Sequence, residues 1–258
     1  MTMSDAAQQV LHELVAMSLE IGRPERDLVI LGEGNTSADV GDGSFWVKAS
    51  GTQLATATEG SFVRLYTDPV CAIADRPACS DADFKMLLDA ARVDTTDSRR
   101  PSVETVLHAL ALKEMGVRFI AHTHPVAVNA VLCSVQAEEA IAGRLFPDEI
   151  VVCGPAPAFV PYTDPGFELA VTVRRVMHDY ADEYGMPPKV VLMQNHGLIA
   201  LGASAGEVDN ITSMYVKTCR VLLGTYALGG PHFLTQANVD RIHTRPDELY
   251  RRSALAGQ

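Results

Sequence analysis

A mixed sheet covered by helices on both faces is the architecture this sequence predicts. Two observations carry the prediction. Short apolar runs of strand character and longer stretches of helical periodicity interleave along the whole chain, without a strict strand–helix–strand rhythm. No linker, repeat or low-complexity run divides the 258 residues, and 47% of them are hydrophobic, which is ample for a sizeable core.

The elements follow in order. Residues 5–21 predict an amphipathic helix: Ser4 offers a cap, Val10, Leu11, Leu14 and Val15 share a face, and Gly22 stops it. Residues 28–31 predict a strand running into the turn Gly32-Glu33-Gly34-Asn35, and 45–49 and 61–67 predict two more. Phe84, Leu87 and Leu88 recur at helical spacing within 82–92, and the polar stretch 93–100 reads as a loop. Pro101 then opens a helix of about 15 residues carrying Val103, Val106, Leu107, Leu110 and Leu112. Phe119-Ile120-Ala121 is a buried strand, 126–132 a short helix, and 150–152 a further strand. A helix over 167–184 ends at the turn Gly185-Met186-Pro187-Pro188, and strands at 189–194 and 198–201 flank Asn195-His196-Gly197. Ser204 caps a last long helix reaching about 223, and the tail 225–258 is only weakly patterned. The domain is thus expected over 5–224, with the tail packing on it or on a neighbouring subunit.

A net charge of −11 and a pI near 5.1 argue against a nucleic-acid partner, for which a basic stripe is expected. They leave room for a small anionic substrate in a locally positive pocket. Cys71, Cys79, Cys133, Cys153 and Cys219 form no C-x-x-C pair, so free thiols in a reducing cytoplasm are expected. No basic region precedes an N-terminal apolar run, and no apolar stretch reaches a membrane span, so neither a signal peptide nor a membrane partner is expected.

His122-Thr123-His124 is the most informative short sequence. Side chains alternate along a strand, so the two imidazoles point the same way, roughly 6.6 Å apart along it. His196, after the apolar run Val190-Val191-Leu192-Met193, would complete a three-nitrogen face. Three neutral imidazoles with an open position suit a catalytic zinc site, and the same face suits Fe(II). Two polar residues at a strand end is the bland alternative. Glu104, in the first turn of the helix at 101, either complements the helix dipole or stands near the metal as ligand or base. Gly32-x-Gly34-Asn35-x-Ser37, Ser50-Gly51-Thr52 and Ser102 at a helix start are three weak anion-binding signals that add up only if they converge in space. The first is not G-x-G-x-x-G, so a dinucleotide is not expected. His108 reads as a satisfied half-buried histidine, and His12, His178, His232 and His243 as surface or packing residues.

Six motifs in this order resemble the class II aldolase/adducin family across residues 5–224: Gly32-Glu33-Gly34-Asn35-Thr36-Ser37, Ala49-Ser50-Gly51-Thr52, Arg100-Pro101-Ser102-Val103-Glu104, His122-Thr123-His124-Pro125, Pro161-Tyr162-Thr163-Asp164-Pro165-Gly166 and Asn195-His196-Gly197. The resemblance implies a three-layer α/β/α sandwich with a central mixed, largely antiparallel sheet, and a homotetramer with the site at a subunit boundary. It implies Zn2+, or another divalent ion such as Mn2+, Co2+ or Fe2+, on His122, His124 and His196, with Glu104 moving a proton. It implies an anionic substrate end, typically phosphate, held by Gly34, Asn35, Ser50, Gly51 and Ser102. The expected activity is a metal-dependent lyase, an aldolase acting on a ketose phosphate or related polyol through an enediolate. The alternatives are a decarboxylase or dehydratase, a sugar-phosphate 4-epimerase, an iron oxygenase and a non-catalytic adducin-like domain. The last loses its metal residues in the family, whereas all four candidates stand here. In one respect the chain departs: sugar-phosphate aldolases commonly carry two serines before the glutamate, and here the second is Val103, so either the phosphate is held differently, with Lys48 as a compensating charge, or the substrate bears a different anionic or neutral end.

Overall fold

In the computed structural model, which describes residues 4–248 and Tyr250, seven strands form one sheet in the order β3-β2-β1-β4-β7-β6-β5. The strands are β1 Asn35–Asp39, β2 Ser44–Lys48, β3 Phe62–Tyr66, β4 Phe119–Thr123, β5 Ala158–Val160, β6 Val190–Met193 and β7 Gly197–Gly202. Every neighbouring pair is antiparallel except β5 with β6, so the sheet is mixed and largely antiparallel. The helices are α1 Asp5–Ile21, α2 Thr67–Cys71, α3 Asp81–Ala90, α4 Thr105–Glu114, α5 Val126–Leu132, α6 Ala137–Ala140, α7 Pro147–Cys153, α8 Phe167–Tyr184, α9 Ala205–Tyr226 and α10 Gln236–Thr244.

Strand alternation divides the apolar residues into two cores. Ile120, Val191, Ile199 and Leu201 pack under α2, α3, α4 and α8, while Phe119, Ala121, Leu198 and Ala200 pack under α1, α5, α7 and α9. Helices thus cover both faces, giving the three-layer α/β/α sandwich. α4 is buried almost all round, from Thr105 to Leu112, because it lies between the sheet and α8. Among the described residues no helix is long and apolar enough to cross a membrane.

Several elements differ from the sequence reading. Residues 28–31 are not a strand: Asp27 and Leu31 adopt positive φ angles of 56° and 52°, which break an extended run. The strand begins beyond the glycine turn, at Asn35, and its polar composition hides it. The helix expected from Pro101 starts at Thr105, because Pro101 bridges Ala49 and Ser102 N donates to Lys48 O at 3.2 Å. Glu104 is therefore the N-cap of α4 rather than a first-turn residue. Residues 150–152 belong to α7: Pro147 at its start and Asp148 and Glu149 in its first turn outweigh the strand preference of Ile-Val-Val. The long α9 is not the last helix, since α10 follows and packs on α7, while 251–258 lie outside the described residues.

Candidate metal centre

His122 is the fourth residue of the wholly buried β4, with its ring on the α4 face of the sheet. His124 lies just past the strand, where its amide donates to Leu28 O at 2.9 Å. His196 comes from the β6–β7 turn, which Asn195 closes with a φ of 54°, a conformation asparagine tolerates better than most residues. Gly197 makes the convergence possible: a Cβ there would stand 2.5 Å from Thr123 O and 2.7 Å from the His124 ring.

The three rings meet with centroids 4.7, 4.9 and 5.2 Å apart, and one nitrogen from each lies within 4.8 Å of the others. Nε2 of His122 and Nε2 of His124 are 2.9 Å apart, a distance two nitrogen lone pairs tolerate only with a proton or cation between them. His122 Nδ1 sits 3.0 Å from Leu198 O, so it carries the proton and turns the Nε2 lone pair to the centre. Glu104 Oε1 is 3.0 Å from His196 Nε2 and 3.4 Å from His122 Nε2. Three imidazoles and one carboxylate aimed at a common point are the donor set of a divalent ion such as zinc, and the residues fit it.

The carboxylate and the imidazoles shift one another. Burial pushes the Glu104 carboxyl up, but the His122 and His196 imidazoles outweigh it and hold it well below the usual carboxylate range. Burial pushes His122 down, and the Glu104 carboxylate more than reverses this, leaving it above its ordinary value. For His124 burial acts together with the two neighbouring histidines, and its pKa falls to about 3, so the ring stays neutral.

The three loops that sequence could not bring together do meet. Lys48 Nζ donates to Gly32 O at 3.2 Å, Ser50 N to Arg100 O at 2.7 Å, and Asn35 Nδ2 to Ser102 Oγ at 3.1 Å. Gly34, at φ +65°, packs so tightly that a Cβ would stand 2.6 Å from His122 O. Ser50 and Gly51 are exposed at the mouth, whereas Asn35 and Ser102 are buried. The Asn35 amide faces inward: Nδ2 donates to Glu104 Oε2 at 2.6 Å as well as to Ser102, and Oδ1 meets His108 Nε2. His108 is fully buried rather than half-buried, and burial brings its pKa down to about 3. Helical spacing from Glu104 was the one available signal for it. His12 and His178 sit on the surface, beside Glu59 and Glu114 at 2.8 Å each.

The family profile described as the class II aldolase and adducin N-terminal domain matches residues 12–223. The chain is 29% identical over 220 residues to the "Uncharacterized oxidoreductase YuxG" of Bacillus subtilis strain 168. That match takes in 82% of this chain and spans 28% of the relative's length. The N-terminal class II aldolase domain of a conserved protein from Thermoplasma acidophilum superposes with a TM-score of 0.66 at 23% identity, over 86% of this chain and 96% of that one. An L-fuculose 1-phosphate aldolase superposes with a TM-score of 0.70 at 18% identity, over 93% and 98% of the two chains. This chain belongs to the class II aldolase and adducin family.

Proposed function

We propose that this member of the class II aldolase and adducin family is a metal-dependent lyase. It breaks or forms a carbon–carbon bond beside a ketone in a small anionic polyol, most simply a ketose phosphate. The observation that carries this reading is Glu104 Oε1, which stands 3.0 Å from His196 Nε2 with its other oxygen anchored on Asn35. A divalent ion on His122, His124 and His196, zinc by the donor set, supplies Lewis-acid polarisation of a carbonyl oxygen when bound.

The chain's own residues do the rest. Oε1 of Glu104 takes a proton from the substrate and returns it, while Oε2 stays fixed on Asn35. The His122 and His196 imidazoles keep the Glu104 carboxyl ionised, so that it carries no proton of its own. The substrate's anionic end is met by Lys48, whose ammonium holds Gly32 O and carries two further N–H donors, and by the Gly34, Ser50 and Gly51 loops. Burial lowers the Lys48 pKa and the Glu104 carboxylate opposes the shift. Ser102 gives this end a hydroxyl, and the exposed Val103 gives none. The oxidoreductase in the name of the Bacillus subtilis relative stays with that longer protein.

The test is release of dihydroxyacetone phosphate from a panel of ketose phosphates, with metal analysis of the same preparation. Dialysis against a chelator should abolish turnover and Zn2+ should restore it. Glu104→Gln keeps shape and removes the base, so it should retain fold and metal and lose roughly 10² to 10⁴ in turnover. A purely structural Glu104 would cost about 1 to 3 kcal/mol of stability through its buried hydrogen bonds and leave turnover intact. Near-normal turnover of that variant on the true substrate sinks the assignment.

A further inference from the structure

We propose that His108 is a positioning residue: buried behind the metal centre, it fixes the amide of Asn35 and, through it, which oxygen of Glu104 faces the three histidines. The proposal rests on the reading of Glu104 as the proton carrier. It begins with two matched spacings. Glu104 and His108 are four apart at the start of α4, hence on one helix face. Asn35 and Ser37 are two apart on β1, hence on one strand face, and both meet α4 side chains.

The hydrogen bonds between these faces form one chain. A carboxylate only accepts, so the Asn35 atom 2.6 Å from Glu104 Oε2 must be the amide nitrogen. Its second N–H goes to Ser102 Oγ. Oδ1 then needs a donor, which is His108 Nε2–H. With that proton on Nε2, the lone pair of a neutral ring lies on Nδ1, where Ser37 Oγ–H donates at 2.7 Å. Four buried side chains thus fix one another's orientation, and none of Asn35, Ser37, Glu104 or His108 is exposed beyond 6%. A His108 ring offering a lone pair to Asn35 would turn the amide round. Its oxygen would then stand against Glu104 Oε2, two acceptors in contact, and the carboxylate would be driven from its place. A residue that merely filled the space would exert no such choice.

Two substitutions separate the roles. His108→Gln keeps an N–H near the Nε2 position and loses the acceptor for Ser37. His108→Asn keeps an acceptor near the Nδ1 position and loses the donor to Asn35. Cobalt(II) affinity of the chelator-treated protein is read by titration, beside kcat and KM on the ketose phosphate panel. His108→Asn should lose 10- to 100-fold in Co2+ affinity and in kcat with KM little changed, the usual scale for a partner that orients a ligand. His108→Gln should recover most of the loss. Equal behaviour of the two variants, whether both intact or both impaired, overturns the proposal. The 15N spectrum of the wild-type protein at pH 7 decides independently of folding of either variant: the His108 proton must be on Nε2, and a proton on Nδ1 alone overturns it. If the wild type cleaves nothing in the panel, the lyase reading fails, while the cobalt titration and the 15N spectrum still judge His108.

Discussion

A neutral imidazole enclosed in the core makes folding stability depend on pH. His108 is fully buried, and its pKa falls to about 3 from an ordinary 6.5. Between those values the unfolded chain binds a proton at this site and the folded chain does not. Stability is therefore full above about pH 6.5 and declines as pH falls, by about 1.4 kcal/mol per unit from this one residue. In urea unfolding, the stability advantage of wild type over His108→Gln should shrink by about 2 kcal/mol between pH 7 and pH 5. An advantage that stays constant over that range contradicts the buried neutral ring. At this scale the sequence was uneven in what it disclosed. His122, His124 and His196 stood out through strand alternation and a third histidine after another apolar run, whereas Glu104 took its weight from its surroundings and the family resemblance. His108 and the inward turn of Asn35 were not legible, since a histidine one helical turn from a glutamate looks alike whether it serves packing or orientation.

Among the elements, those with clear end signals were read correctly. Ser4 and Ser204 cap α1 and α9 through side-chain bonds to Ala7 N and Glu207 N. The failures came where an apolar run or a proline gave a local signal that tertiary contacts overrode. β1 is polar because it carries Asn35 and Ser37 for the site, so its composition resembles a loop. Beside the proline and acidic first turn of α7 stands a buried ion pair. Arg144 and Glu149 are 4% and 1% exposed and meet at 2.7 Å. Glu149 also accepts from Leu145 N at 2.8 Å, and Arg144 donates to Pro155 O at 3.0 Å. Removing one partner strands a buried charge, which costs about 3 to 5 kcal/mol. Arg144→Met should lose that much in urea unfolding, and Arg144→Met with Glu149→Met together should lose clearly less. Additive losses would show that the two charges do not depend on each other.

For the whole molecule, four exposed apolar side chains flank the motifs of the metal centre along the chain. Leu31 is 75% exposed, Val126 61%, Tyr162 58% and Val103 57%, each within a few residues of the Gly32 turn, His124, the Gln194 contact or Glu104. Exposed apolar side chains that gather into one patch mark an interaction surface. The described start of the tail runs elsewhere: Phe233 packs against Gly143 and Leu234 N bonds to Arg144 O at 2.8 Å, on the α7 side of the sheet. A second copy of the chain is the occupant that the family's usual assembly suggests, and the predicted state is a homotetramer with the site at the subunit boundary. Light scattering at micromolar concentration should then give about four times 27.8 kDa. Leu31→Asp with Val126→Asp places charges in the apolar rim and should yield monomers that still bind zinc on the three histidines yet turn over substrate poorly. A wild-type mass of 27.8 kDa would contradict the assembly, and a charged double variant that remains tetrameric would move the interface away from this rim.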